Sequence, residues 1–325
     1  METMKAVQVQ SFGPESRLIL ADVPIPKPSE DQVLIKIGAA AVNPLDNIIR
    51  LGHFPIPARL PHTLGTEGAG VVAEASGDLK KGDRVFISGG GLGIVAPGTF
   101  AQYVTVDRRF AVPMPDKMGF DEGAAFGLVS LTAWLALKDR AGLKEGDRVL
   151  IPGAGGGVGH VAIQLARNWG AHVITTVSQT EKVEKAFGLG AHHVIDLSKQ
   201  DLVEEVQKTG QGIDVVLDMV GGDLLPKALT VLNPRARVIS VGYSGGAISP
   251  VNVVDLLRLS AEIRGFNIFM VEPGRIQEAL GSILADIQQG RLKILIDRSF
   301  PFSQAEEAIQ FLLSRKAFGK IVLRP

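Results

Sequence analysis

Short apolar runs alternate with helical segments through the middle of the chain, and this pattern predicts parallel strands connected by helices. Several runs are almost continuously β-branched, as expected for strands that are buried on both faces of a sheet. After a first run at residues 149–152, the predicted strands are His172–Val177, His193–Asp196, Ile213–Asp218, Ala236–Gly242 and Glu262–Phe269. The expected fold class is therefore α/β, with a doubly wound sheet of about six parallel strands.

The first third of the chain has a different pattern, in which short apolar runs are interrupted by proline and glycine. Such runs predict a small, mostly antiparallel β domain. Its predicted strands are Lys5–Val9, Arg17–Leu20, Gln32–Ile37, Gly70–Ala73, Asp83–Ser88 and Phe100–Val106. A helix is predicted at Asp121–Ala141, and we expect the β domain to cover residues 1–124 and the parallel sheet residues 125–270.

Residues 271–325 carry two helical and two strand-like segments, which are predicted at Arg275–Gln289, Leu292–Ile296, Ala305–Arg315 and Lys320–Leu323. Because the parallel sheet is already complete before them, we expect this segment to return to the first domain. Ser303 and Glu306 have the spacing of a capping box for the helix that starts at Ala305.

The segment Val149–Gly159 ends an apolar run in glycines and leads directly into a helical pattern. Glycines allow a sharp turn and a close approach of phosphate, and the free amide groups of a helix N-terminus hold negative charge. Two glycines fill the second and third places of the dinucleotide-binding pattern, while alanine takes the first. We therefore predict a Rossmann-type dinucleotide site at Ala154, Gly155, Gly156, Gly157, Val158 and Gly159.

The residues after the second predicted strand indicate which dinucleotide is bound. Sites for NAD usually place an acidic side chain there, which binds both ribose hydroxyls. This chain instead has Ser178 and Lys182, which suit the 2′-phosphate of NADPH. Glu181 stands in a predicted first helical turn, where the helix dipole favours an acid. The alternative is that Lys182 is an ordinary exposed helix lysine.

Composition narrows the classes of function. The 325 residues carry 34 basic and 34 acidic side chains, so the formal net charge is zero and nucleic acid or an anionic membrane surface is not an expected partner. Cysteine is absent, which excludes disulfides, cysteine-ligated zinc and thiolate catalysis. We expect no membrane span and no signal peptide, and hence a cytoplasmic protein.

Motifs spread over nearly the whole chain resemble one known group of enzymes. They are Val42–Asp46 with Arg50 and Gly52, Leu64–Val72, Gly82–Val85, Gly98–Val104, Leu131–Trp134, the glycine segment, Asp218–Gly222 and Gly319–Leu323. In this order they resemble the zinc-free quinone oxidoreductase branch of the medium-chain dehydrogenases/reductases. The resemblance implies a GroES-like domain, a Rossmann domain and a cleft between them. It also implies hydride transfer from NADPH to a quinone or related α,β-unsaturated carbonyl.

The resemblance also implies which residues form the site. It places Asn43 and Thr132 near the cleft, and we assign them with Thr66 to the catalytic end. Gly242 and Tyr243 follow a predicted strand end and Phe269 ends the last predicted strand, so we assign these residues to the cofactor, together with Lys320. Alternatives remain for three of them. Asn43 precedes a proline, so its side chain could instead stabilise a turn. The hydroxyl group of Thr132 could instead bond a preceding carbonyl of its helix. Phe269 equally suits a core position or a dimer contact.

A zinc site is not expected. Zinc-dependent relatives carry Gly-His-Glu where this chain has Gly65-Thr66-Glu67, and their cysteine ligand is also missing. We expect the nearby His53 and His62 to be surface-loop histidines, and no metal to be bound. The carbonyl must then be polarised by hydrogen bonds.

The sequence leaves open the exact reaction and the source of the proton. An alkenal, enone or enoyl-thioester reductase, or a non-catalytic NADPH-binding sensor, would fit the same motifs. Many members of the branch have a tyrosine where this chain has Ile48, so the source of the proton is not identified. The edge strand at Glu262–Phe269 is apolar, and we expect it to pair with its two-fold mate in a homodimer.

Overall fold

The computed structural model describes residues 2–55 and 59–325. Its strands are β1 Thr3–Val9, β2 Leu18–Pro24, β3 Gln32–Val42, β4 His62–Thr63, β5 Glu67–Glu74, β6 Arg84–Ser88, β7 Tyr103–Asp107, β8 Ala111–Pro113, β9 Arg148–Pro152, β10 His172–Val177, β11 His193–Asp196, β12 Ile213–Asp218, β13 Leu232–Ser240, β14 Glu262–Gly265, β15 Ile296–Pro301 and β16 Lys320–Arg324. Its α-helices are α1 Pro44–Arg50, α2 Phe120–Leu135, α3 Gly157–Asn168, α4 Val183–Gly188, α5 Leu202–Lys208, α6 Leu224–Thr230, α7 Val253–Leu259, α8 Pro273–Gln288 and α9 Ala305–Leu313.

Contacts divide the chain into two compact units. The first runs to Leu128 and resumes at Ile294, and the second spans Val129–Lys293. In the first unit, β15, β16, β3, β5, β6 and β8 form one sheet in that order, with β7 on β3, and β2, β1 and β4 form a smaller sheet. All these pairs are antiparallel except β15 with β16. The predicted antiparallel β domain is confirmed.

The second unit contains the predicted parallel sheet. Six of the described strands lie in the order β11, β10, β9, β12, β13 and β14, and every neighbouring pair is parallel. Most residues of β9, β10, β11 and β12 are buried, which explains their continuous apolar runs. The chain starts at the central β9 and winds outward in both directions, so the order reverses beside β9. Ligands of doubly wound sheets bind at such a reversal, outside the carboxyl ends of the strands.

The return to the first unit begins later than residue 271. The buried side chain of Gln164 on α3 binds both backbone groups of Lys293, accepting from its N–H and donating to its carbonyl (2.9 Å each). Arg275 at the start of α8 forms an ion pair with Asp139 and stacks on Trp134. These contacts keep α8 in the second unit. The strand predicted at Leu292–Ile296 begins only at Ile296.

Two further local predictions were wrong. The last parallel strand does not reach Phe269, because the side chain of Asn267 accepts the Phe269 N–H and starts a turn of 3₁₀-helix. The predicted capping box at α9 is absent, because the side chain of Glu306 bonds other segments of the chain. Its carboxylate accepts the N–H of Leu18 (3.2 Å) and pairs with Arg50 (3.1 Å).

We expected no segment that could span a bilayer, but one helical segment meets the criteria of length and composition. By length and composition alone, Phe120–Arg140 is long and apolar enough to cross a membrane. Most of this segment is buried within the protein, and core helices pass the same test.

Candidate functional site

The predicted dinucleotide segment folds as a strand, a tight turn and a helix. In the turn, the backbone N–H of Gly153 donates to Thr176 Oγ1 (3.1 Å), and the φ angle of Gly153 is +83°. A Cβ atom on Gly159 would lie 2.2 Å from the carbonyl oxygen of Gly153. The turn and the close start of the helix therefore require glycine at both positions.

The predicted phosphate-binding residues lie together in this turn. Ala154, Gly155 and Gly156 belong to the turn itself, whereas Gly157, Val158 and Gly159 form the first turn of α3. The first N–H groups of a helix have no acceptor within the helix, and its dipole makes this end positive. With glycine in place of side chains, a phosphate can reach these N–H groups.

The residues predicted to choose the dinucleotide follow the adjacent strand β10. Ser178 is exposed directly after the strand, and Lys182 lies where a 3₁₀ turn passes into α4. Lys182 is only 7% exposed, so it is not the ordinary surface lysine of the alternative interpretation. The turn is tied to the sheet, because the Thr180 hydroxyl donates to Asp196 at the end of β11 (2.6 Å).

Gly242 and Tyr243 lie in a loop after β13 that is locked to the loop after β12. The N–H of Gly222 donates to the carbonyl of Gly246 (3.1 Å), and the N–H of Gly245 donates to that of Val220. Asp218, at the end of β12, accepts the N–H groups of Val220 and of the following glycine (2.9 Å each). No role was predicted for this buried carboxylate, although an acid shortly before a Gly-Gly pair at a strand end is a signal that could have indicated one.

The remaining second-unit candidates differ in exposure. Phe269 is 52% exposed, so the structure excludes a core position for its ring. Thr132 lies within α2 and is partly exposed. Its hydroxyl makes no hydrogen bond to any residue in the described ranges, so it is not tied to a preceding helix carbonyl.

Four buried side chains of the first unit form one hydrogen-bonded cluster, here called the Lys320 network. Lys320 Nζ donates to Asn43 Oδ1 (2.5 Å) and to Glu67 Oε1 (3.0 Å). Asn43 Nδ2 donates to the same Glu67 oxygen (3.0 Å) and to Thr66 Oγ1 (3.3 Å). None of the four residues is more than 5% exposed. The other Glu67 oxygen accepts the N–H of Leu128 (2.8 Å).

The sheet brings this network together from distant parts of the chain. Antiparallel pairing of β16 with β3 sets Ile321 opposite Val42, so Lys320 comes beside Asn43. Gly65 turns the chain just before Thr66, with φ +103°, and a Cβ there would lie 2.5 Å from Thr99 Oγ1. The sequence predicted Lys320 as a cofactor ligand; in the structure its Nζ donates to Asn43 and Glu67.

Comparison with known proteins identifies the family. Residues 29–116 match the alcohol dehydrogenase GroES-like domain, and residues 189–323 match a family described as zinc-binding dehydrogenase. Human quinone oxidoreductase is 35% identical over 328 residues, which cover 98% of this chain and 97% of the human protein. The chain belongs to the quinone oxidoreductase family. The resemblance to this branch of the medium-chain dehydrogenases/reductases is thereby confirmed.

Solved structures agree with the expected fold. The crystal structure of an NAD-dependent alcohol dehydrogenase is 32% identical, with a TM-score of 0.91, and covers 99% of this chain and 100% of its own. Quinone oxidoreductase of Escherichia coli, complexed with NADPH, is 28% identical with a TM-score of 0.88 and the same coverage. The α/β fold with a GroES-like domain and a Rossmann domain is confirmed.

In this quinone oxidoreductase family member, Asp46 is a second buried acid near the Lys320 network. Its Oδ2 accepts the backbone N–H of Asn43 (2.7 Å), while Oδ1 has no partner among the described residues. Burial raises the pKa of Asp46 to about 7. Arg50, four residues further along α1, does not pair with Asp46; it forms an ion pair with Glu306 and donates to the backbone carbonyl of Ser16.

The two histidines near this region have different surroundings. His53 is exposed, as expected for a loop histidine. His62 is 4% exposed, and its Nε2 bonds the carbonyl oxygen of Gly93 (2.8 Å), so the prediction of a surface position was wrong for it. Burial lowers the pKa of His62. Among the described residues, no group of three or more His, Cys, Asp or Glu could hold a metal ion.

Proposed function

We propose that this protein is a cytoplasmic, NADPH-dependent and zinc-independent oxidoreductase that reduces a quinone or a related α,β-unsaturated carbonyl compound. The proposal rests on a glycine turn whose backbone N–H groups can donate to phosphate, and on a buried network in which the Thr66 hydroxyl oxygen accepts from Asn43 and leaves its hydrogen for a ligand. The family supports the reaction type, because quinone oxidoreductase is the name of its curated relatives.

The residues of the second unit fit NADPH. Backbone N–H groups at the start of α3 donate to the pyrophosphate, and Gly153 and Gly159 allow the tight turn that leads into this helix. Ser178 and Lys182 bind the 2′-phosphate, which NADH lacks. When bound, NADPH supplies the hydride for the reaction.

The loop after β13 holds the remainder of the cofactor. Gly242 and Tyr243 belong to this loop, whose backbone is fixed by its bonds to the loop after β12. The exposed ring of Phe269 serves either as a wall of the nicotinamide site or as a dimer contact. Thr132 adds a hydroxyl group that is available to a bound ligand.

The first unit activates the acceptor. Both polar atoms of the Asn43 amide are occupied by Lys320, Glu67 and Thr66, so Asn43 acts by holding its neighbours. The Thr66 hydroxyl donates to the carbonyl oxygen of the acceptor, where negative charge develops during reduction. With Ile48 in place of tyrosine, we assign the proton of the product to solvent.

The Lys320 network also supports zinc independence. In zinc-dependent relatives a histidine stands at the position of Thr66, and a hydroxyl group cannot replace it as a zinc ligand here. The ammonium group of Lys320 lies 3.0 Å from Glu67 and would repel a second cation at this carboxylate. Metal analysis should find no stoichiometric zinc, and a chelator-sensitive activity would contradict the proposal.

The decisive experiment is steady-state oxidation of NADPH and NADH with a panel of quinones, enones, alkenals and an enoyl thioester. We expect turnover with NADPH and at least one quinone or enone. Tight NADPH binding without turnover for any acceptor would instead support a sensor or structural protein. Turnover restricted to the enoyl thioester would select the alternative reductase function.

We further propose a homodimer that forms through β14. This strand is the outer edge of the parallel sheet and leaves backbone groups unpaired. Apolar side chains are exposed at Ile263 on this strand and at Val253, Val254 and Leu257 on α7, the helix that precedes it in the chain. A monomer in sedimentation at micromolar concentration would contradict the dimer.

A further inference from the structure

In the Lys320 network, the donor and acceptor of each hydrogen bond can be assigned in only one way. An ammonium group can donate but not accept, so the Asn43 atom that faces Lys320 must be the amide oxygen. The amide nitrogen then has to face the opposite way, towards Glu67 and Thr66. Lys320 on one side and Glu67 on the other therefore fix the orientation of the Asn43 amide, with its oxygen towards Lys320 and its nitrogen towards Glu67 and Thr66.

This orientation decides what the Thr66 hydroxyl can do. Its oxygen accepts the Asn43 N–H (3.3 Å), so its own hydrogen is not needed for that contact. No acceptor for this hydrogen lies within hydrogen-bond distance among the described residues. The hydrogen is left to donate to a ligand.

We propose that Lys320 is a positioning residue that sets Thr66 as the hydrogen-bond donor to the carbonyl oxygen of the acceptor. The inference rests on the proposed function and deepens it. Lys320 acts through Asn43 and Glu67 and does not bind the cofactor. Its role is to fix which atoms donate and which accept along the hydrogen bonds from Lys320 to Thr66.

The buried charges make this orientation hard to reverse. Glu67 accepts from Lys320, from Asn43 and from the N–H of Leu128, so the carboxylate is paired although it is 1% exposed. If the ammonium is removed, Glu67 loses its counter-charge and the Asn43 oxygen loses its donor, so the Asn43 amide is no longer held in one place. The Asn43 N–H then no longer keeps the Thr66 oxygen engaged, and the Thr66 hydroxyl is free to turn away from the acceptor.

A double-mutant cycle between Lys320→Met and Thr66→Val tests this coupling. We expect each single variant to lower kcat/KM for the acceptor about 10- to 100-fold, mostly through kcat. The double variant should be no worse than the poorer single variant, because both remove the same donor. The Kd of NADPH, measured by fluorescence titration, should change by less than about twofold.

Two further variants separate positioning from folding. Lys320→Arg retains donor-only character and should stay within about tenfold of the wild-type kcat/KM. Lys320→Met combined with Glu67→Gln removes both buried charges, so it should recover thermal stability lost by Lys320→Met while kcat stays low. Recovery of kcat together with stability would show that Lys320 has only a structural role.

The outcomes distinguish this inference from the proposed function. Additive losses in the cycle, or a loss of NADPH affinity equal to the loss of kcat/KM, would overturn the role of Lys320 while the enzyme remains a reductase. A wild-type protein that binds NADPH but reduces no acceptor in the panel would overturn the proposed function itself.

Discussion

The two candidate regions of this protein are built by different means. In the second unit, the turn at Gly153–Gly159 offers backbone N–H groups, and side chains are kept out of the way. In the first unit, the Lys320 network consists of buried side chains that bond one another. A binding site made of backbone N–H groups forms only where the chain has glycine at positions that have no room for a Cβ atom. A side-chain network forms only where each hydrogen-bond donor faces an acceptor.

This difference governs how each region should respond to substitution. The glycine turn should fail when a single methyl group is added, because the obstacle is backbone that cannot move aside. The network should fail when a donor is replaced by a group that cannot donate, even when the shape is kept.

Gly159→Ala should weaken NADPH binding more than about 100-fold, because the new Cβ would lie 2.2 Å from the carbonyl oxygen of Gly153. The start of α3 would have to move away from the turn. Gly188→Ala in α4 is the matched control, since a Cβ there meets nothing within 4 Å. Isothermal titration with NADPH measures both. Equal affinities for the two variants would show that the turn does not hold the phosphates.

Lys182→Ala should weaken NADPH binding by about 10- to 100-fold and NADH binding by less than about twofold. The reason is that only NADPH carries the 2′-phosphate that Lys182 is proposed to bind. The exposed Lys199 provides the control substitution Lys199→Ala. Competition titrations with both dinucleotides give the ratio. An equal loss for both, or a native preference for NADH, would rule out this role.

The same contrast explains how much of the molecule could be predicted from its sequence. The glycine turn and the six strands of the parallel sheet rest on local patterns, and both were found. The contact between Lys320 and Asn43 spans most of the chain and arises from the pairing of β16 with β3. A lysine at the start of a short strand gives no local sign that it will be buried.

The errors at element ends have the same origin. Asn267 ends the edge strand early through a bond to Phe269, and Gln164 keeps Lys293 in the second unit. Apolar periodicity reports burial, but it does not report a polar side chain that binds the backbone of another segment. The burial of His62, whose ring bonds the carbonyl oxygen of Gly93, was missed for this reason as well.

Asp46→Asn should raise the free energy of unfolding at pH 8 and flatten its dependence on pH. Because burial raises the pKa of Asp46 to about 7, the folded protein holds a proton between about pH 4 and pH 7 that the unfolded chain has lost. The free energy of unfolding therefore falls as pH rises through this window, by at most about 4 kcal/mol. Asparagine keeps an oxygen that accepts the Asn43 N–H.

Denaturant unfolding at pH 5 and pH 8 measures the effect. The difference between the two pH values should be smaller in Asp46→Asn than in the wild type, whereas Asp78→Asn at an exposed position should leave it unchanged. An unaltered difference in Asp46→Asn would mean that another group carries the pH dependence.

Tyr243→Phe should have the smallest effect, with kcat/KM and the Kd of NADPH changed by less than about twofold. The ring is 53% exposed, and the loop that carries it is fixed by backbone bonds such as that from Gly245 to Val220. The hydroxyl group therefore adds little to the position of the loop. Only Tyr103 and Tyr243 are tyrosines in this chain, so Tyr243 is the residue to test as a replacement for the tyrosine absent at Ile48. If Tyr243→Phe abolished turnover while NADPH still bound, Tyr243 would be a proton donor and our assignment of the proton to solvent would be wrong.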